Sequence, residues 1–114
     1  MDYKKLIVWE KADDLAFQIY NISRSFPKEE QYGMTSQLRR AAISVPTNIV
    51  EGVGRQNKNE TRQFINIALG SLNETKYLAD LSKRLNLLSE IDYQVLERLM
   101  DRVGALLWKS YKSF

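Results

Sequence analysis

The sequence predicts an all-α fold, an antiparallel up-and-down four-helix bundle occupying one domain. Three observations carry this expectation. Apolar residues recur at three- and four-residue spacing through four long stretches. Short polar segments separate those stretches, and long loops are missing. Only two prolines and five glycines punctuate 114 residues, which is too few turn formers for an all-β chain of this length.

The first helix is expected from about Val8 to Arg24. Trp9, Ala12, Leu15, Ala16, Ile19 and Ile22 mark its buried face, and Ser25-Phe26-Pro27 ends it, because a residue before proline avoids the α region. The second helix starts near Met34 or Thr35, after Gly33, with Leu38, Ala41, Ala42, Val45, Ile49 and Val53 as its core stripe. Pro46 falls inside it, removing one backbone N–H and crowding the Ala42 carbonyl, so a kink is expected there. The apolar phase persists across Pro46, which favours one bent helix over two, and Gly52 or Gly54 supplies the stop. Asn57 or Asn59 caps the third helix, which runs to about Leu85 with Phe64, Ile67, Ala68, Leu72, Leu78, Leu81 and Leu85 as apolar positions. Ser89 caps the fourth, whose buried side reads Ile91, Val95, Leu96, Leu99, Val103, Leu106 and Leu107. Its acids lie in the first turn and its lysines near the end, as the helix dipole favours.

Histidine and cysteine are both absent. This removes the usual neutral-pH acid/base, thiolate chemistry, disulfides and the common transition-metal ligands. Glu97 and Asp101 sit at i,i+4, a spacing able to grip a divalent ion, but ordinary surface helices carry such pairs constantly. No enzymatic activity, metal or cofactor is expected. The first residues lack the apolar core of a secretory signal, and no run approaches the ~18 apolar residues of a membrane span, so a cytoplasmic protein is expected.

The net charge of +3 is uneven. Residues 36–64 carry 5 basic and 2 acidic groups, and residues 98–114 carry 4 and 1. The basic group Arg39, Arg40, Arg55, Lys58 and Arg62 is the leading binding candidate, with Arg39 and Arg55 expected to be exposed. Asn57, Lys58 and Asn59 stand at a helix start, where free N–H groups favour phosphate oxygens. Repeated around an oligomer, such charges would bind nucleic-acid backbones in a salt-dependent way.

The second helix carries more than one apolar stripe. Ile43, Pro46 and Val50 point away from the core stripe at ~100° per residue, and suggest a second packing surface for self-association. A polar stripe of Gln37, Arg40, Ser44, Thr47, Asn48 and Glu51 runs beside them. On the third helix Glu74 falls among Ile67, Leu78 and Leu81, where a carboxylate needs a partner. Arg40 is the expected partner, with Asn48, Glu51 and Asn66 in an adjoining polar cluster.

These same positions carry a family resemblance. The chain opens Leu6-Ile7-Val8-Trp9-Glu10-Lys11-Ala12, then reads Phe26-Pro27-Lys28 through Gln37-Leu38-Arg39-Arg40-Ala41-Ala42, Ser44-Val45-Pro46-Thr47-Asn48-Ile49-Val50-Glu51-Gly52, and Phe64-Ile65-Asn66-Ile67-Ala68-Leu69-Gly70-Ser71-Leu72-Asn73-Glu74. It closely resembles the bacterial four-helix bundles called 23S rRNA intervening-sequence proteins, also labelled S23 ribosomal proteins. The resemblance implies a homopentamer whose gene often lies inside insertions of 23S rRNA genes. It also implies a likeness to an accessory protein of diversity-generating retroelements that associates with nucleic acid and a reverse transcriptase. The signature positions Gln37, Arg40, Ser44, Pro46, Asn48, Glu51, Gly52 and Glu74 then read as scaffold residues.

The functional expectation is a non-enzymatic oligomer that binds RNA or DNA through repeated basic surfaces. The alternative is a structural or protein-interaction adaptor whose charge is incidental. A carboxylate-metal hydrolase is a third reading.

Overall fold

A computed structural model describes residues 1–114. Four helices account for most of the chain: α1 (Ile7–Ser23), α2 (Met34–Val53), α3 (Lys58–Arg84) and α4 (Glu90–Ser113), with single 3-10 turns at Tyr3–Lys5 and Lys28–Glu30. Helix packing is cyclic, α1 on α2, α2 on α3, α3 on α4 and α4 on α1, with no diagonal contact. This is the up-and-down bundle that the short connections require. The molecule is 43 Å long and 24 × 20 Å across. At ~1.5 Å per residue, α3 alone spans nearly that length.

The helix ends show why the boundaries fall where they do. The Asn57 side chain accepts from the N–H groups of Asn59 (2.8 Å) and Glu60 (3.3 Å), capping α3. Ser89 caps α4 by accepting from the Asp92 N–H at 3.1 Å. At α2 the cap comes from outside the helix, where the Glu30 carboxylate accepts from the Met34 N–H at 3.1 Å. Beyond α3, Asn86 takes a positive φ of 61°. The Asn86 N–H bonds the Lys83 carbonyl and the Leu87 N–H bonds that of Ser82, which is a Schellman closure using asparagine in place of glycine.

One core cluster draws on all four helices, with Leu15, Ile19, Leu38, Val45, Ile49, Ile65, Leu72, Leu96, Met100 and Leu107 at its centre. The expected α2 stripe is buried at every position, and α2 runs unbroken through Pro46. Just past the proline, Thr47 Oγ1 and Asn48 Nδ2 donate to the carbonyls of Ile43 and Ser44, both at 2.7 Å, adding donors to the preceding turn.

The buried face of α3 differs from the expected one. It reads Thr61, Ile65, Ala68, Leu72, Thr75, Leu78, Ala79 and Ser82, whereas Ile67 and Leu85 are exposed. Three hydroxyls account for the difference. Thr75 donates to the Ser71 carbonyl at 2.8 Å and Ser82 to that of Leu78 at 2.7 Å. Thr61 donates across to the Gly52 carbonyl on α2 at 2.8 Å. A hydroxyl satisfied in this way enters a core at little cost. On α4, Ile91 and Val95 are exposed, and Met100 and Gly104 take the inward positions.

A candidate nucleic-acid interface on the third and fourth helices

The α3 register relocates the expected polar cluster. Ile67, Glu74 and Leu81 form one heptad row on the outer side of α3, so Glu74 is exposed, as is Arg40. The two share a shallow groove with Gln37 and Ser44 but make no ion pair. The expected buried Arg40–Glu74 bridge is therefore absent from the single chain, because solvent already satisfies both charges. Asn48 bonds Ser44 of its own helix, at both the carbonyl and the hydroxyl. Glu51 pairs with Arg55 at 3.5 Å on the surface. Asn66 faces α4, away from the others. The link between side chains that does cross from α2 to α3 is Ser44 Oγ to Ser71 Oγ, 2.8 Å.

The candidate self-association stripe is also revised. Ile43 is 46% exposed and Val50 is half-buried, but Pro46 is buried within the chain. Its ring packs inward as part of the α2 core face, so it offers nothing to a neighbouring subunit.

The two adjacent arginines exchange roles. Arg39, expected to be exposed, ties α2 to the end of α1. Its Nε donates to Ser23 Oγ (2.8 Å), its Nη2 donates to the Tyr20 carbonyl (3.2 Å), and the guanidinium lies 4.6 Å from the centre of the Tyr20 ring. A cation on the last carbonyls of a helix is favourably placed for the dipole, and Arg39 is not free for a ligand. Arg55 lies over Phe64 at 4.9 Å besides its exposed pair with Glu51. Lys58 is exposed, but Asn57 already holds two of the N–H groups at the α3 start, those of Asn59 and Glu60, that would have met a phosphate. Arg62 lies 5.9 Å from the Tyr111 ring of α4, on the face between α3 and α4.

On that side of the molecule the basic excess of residues 98–114 takes up a definite geometry. Arg98, Arg102, Lys109 and Lys112 are all exposed, and no carboxylate lies within 4 Å of any of them. With Ala105 they follow spacings of four, three, four and three, one straight row down α4. The row extends about 21 Å at ~1.5 Å per residue. The readable signal was the heptad spacing of the four cations.

The up-and-down topology brings the α2–α3 loop and the C-terminal end of α4 to the same end of the bundle, where Arg55 and Lys58 border a pocket shared with Phe114. Arg62, Lys109 and Lys112 lie toward that end too. The opposite end carries Glu90 and Asp92 in the first turn of α4. There the Tyr93 phenol is pushed above its ordinary range, first by burial and then by the Glu97 carboxylate. A phenol held protonated in this way does not act as a base at neutral pH.

No helix is long and apolar enough to cross a membrane. Among known proteins, a family profile described as 23S rRNA-intervening sequence protein matches residues 4–109. No curated protein matches the chain. Among solved structures, the chain is similar to a protein of unknown function from the S23 ribosomal protein family of Bacteroides thetaiotaomicron, with 28% identity and a TM-score of 0.84 over 92% of this chain and 98% of that one. The profile spans nearly all of the bundle, and the chain belongs to the 23S rRNA-intervening sequence protein family.

Proposed function

We propose that this chain is a non-enzymatic bundle that assembles with copies of itself and binds RNA or DNA through the cationic row of α4. The observation that carries the reading is that row, four exposed cations in one line with no acidic partner. Cations already paired gain little from a phosphate, whereas unpaired ones release condensed counterions when they meet a backbone. Arg62 and Lys58 extend the positive surface around the end of the bundle. One chain at +3 is a weak attractor, and repetition around an oligomer multiplies the field. Self-association is supported by exposed apolar side chains on three successive helices, Phe17 on α1, Ile43 on α2, and Ile67 and Tyr77 on α3. The family resemblance adds a homopentamer as the expected assembly, and the lack of an apolar leader or membrane-spanning run in the sequence points to the cytoplasm as its setting.

The test is fluorescence anisotropy with a labelled RNA hairpin and a DNA duplex across a salt series. The comparison is with a variant carrying Arg98→Ala, Arg102→Ala, Lys109→Ala and Lys112→Ala. For a duplex, the variant should flatten the slope of log K against log salt by about 3.6, close to one counterion for each phosphate no longer neutralised. An unchanged slope removes the row from binding. Absence of binding by the parent protein near physiological salt favours a protein-interaction adaptor instead. Light scattering on the eluting protein gives the stoichiometry, and a monomer overturns the assembly.

A further inference from the structure

Beside the cationic row, α3 and α4 part to leave a groove of about 510 Å3. This lies within the range of roughly 300–1,000 Å3 typical of sites for small organic ligands. Its floor is where the two helices touch. A Cβ added at Gly104 would sit 3.3 Å from Leu72 Cδ2, so the missing side chain there sets the close approach. Above the floor the walls stand back, because Gly70 on α3 has nothing within 4 Å of the place its Cβ would occupy, and Ala105 on α4 is small and exposed. The opening is thus built from residues that could be larger without disturbing the fold.

Trp108 forms one wall and is 53% exposed. It makes a T-shaped contact with Tyr111, centroids 5.8 Å apart at 81°, and about half of its surface stays open to solvent. Asn66 and Asn73 stand two helical turns apart along the α3 wall, and neither amide has a hydrogen-bond partner in the chain. Each offers both donors and an acceptor. Lys76 and Asp101 bridge the groove at 3.5 Å, which cancels the one carboxylate lining it. Ala105 belongs both to the groove lining and to the middle of the row of cations, so the two features share an edge.

An exposed indole, unpaired amides and an adjoining line of free cations are the three elements that hold single-stranded nucleic acid: a stacking platform, groups for base edges, and charges for the backbone. A duplex can meet the cations but keeps its bases stacked within the helix and cannot insert one into the groove. We propose that the α3–α4 groove accepts an unpaired base against Trp108 while the backbone follows the α4 row, so that the protein prefers single strands to duplexes. This rests on the nucleic-acid reading above and adds strand specificity to it.

The probes are labelled oligouridylate and oligothymidylate 12-mers and a DNA duplex of the same length, titrated at one fixed salt concentration. They are applied to the parent protein, Trp108→Ala, Trp108→Phe and Gly70→Phe. Trp108→Ala is expected to weaken both single strands about tenfold, the effect of losing one base–aromatic stack, and to leave the duplex unchanged. Trp108→Phe keeps a ring and restores most of the loss. Gly70→Phe fills the groove while Trp108 itself is kept, and should reproduce the Trp108→Ala effect. Trp108 emission should be quenched on binding in the parent protein. Unaltered single-strand affinity in Trp108→Ala overturns the base site while leaving backbone binding by the row intact. Equal weakening of strand and duplex overturns it too, because the indole then serves the surface generally. If the parent protein binds none of the probes, the nucleic-acid reading falls together with this one.

Discussion

The seam between α2 and α3 and the seam between α3 and α4 share a helix, yet they are built in opposite ways. The first is closed. A Cβ at Gly52 would lie 2.9 Å from Phe64 Cβ and 3.2 Å from the Thr61 carbonyl, and the Thr61 and Ser71 hydroxyls bond across to α2. The second is open beyond its single contact line, with Gly70 facing empty space and an indole standing in solvent. Gly52 in the first seam, like Gly104 on the contact line of the second, is a glycine because no room exists, whereas Gly70 stands where room exists. Packing explains Gly52 completely and does not explain Gly70. The difference separates a seam that holds the bundle together from one with space for something else.

The largest effect should come from Gly52→Ala. The added methyl meets backbone as well as a β-carbon, so the helices must separate. The expected cost is about 2 kcal/mol, in the range of over-packed cores, read as a lower urea midpoint with an unchanged slope. A neutral result would show the closed seam to be as forgiving as the open one. Next comes Thr61→Val, which keeps the shape but removes the donor to the Gly52 carbonyl. The Gly52 carbonyl keeps its bond from the Arg55 N–H at 3.1 Å, so losing the Thr61 donor should cost about 1 kcal/mol, the worth of one hydrogen bond.

How far the sequence revealed these seams depends on what each is made of. The α2 stripe and the caps at Asn57 and Ser89 were legible, because periodicity and capping are local properties. The α3 face was not, since Thr61, Thr75 and Ser82 count as polar until their hydroxyls are seen bonded to carbonyls. With those three left out of the core, Glu74 falls inward by angle and needs its bridge with Arg40. Arg39 and Arg40 are separated by ~100° of helix rotation. The α2 stripe already put Arg40 on the far side from the core, so their exchanged roles were readable by angle. The charge excess of residues 98–114 shows in a segment count, and its alignment into the α4 row was equally readable by angle. The groove was not readable, because it depends on how far two helices stand apart, and single-chain periodicity carries no measure of that distance.

Gly70→Ala should act in the opposite direction. A helix-interior glycine is less favourable than alanine by roughly 0.5–1 kcal/mol, and the new methyl meets no neighbour. Thermal unfolding should shift upward, in contrast to Gly52→Ala. A destabilised Gly70→Ala would mean that the α3–α4 seam closes in solution, and the distinction between the two seams would fail.

The smallest change in stability should come from Asp101→Asn, and it tests the open seam most directly. The Lys76–Asp101 pair is the ion pair that bridges the groove at 3.5 Å, and both side chains are more than a third exposed. Water screens such a pair, so its removal should cost under about 0.5 kcal/mol by urea unfolding. Binding should respond more than folding does. Without its carboxylate partner, Lys76 becomes a fifth cation beside the row, and the salt slope for nucleic acid should steepen by roughly 0.7–0.9, one further counterion released. A stability loss above about 1 kcal/mol would make the bridge a structural clasp comparable to the Thr61–Gly52 bond. A steeper salt slope with unchanged stability would instead assign this charge pair to regulating access to the groove.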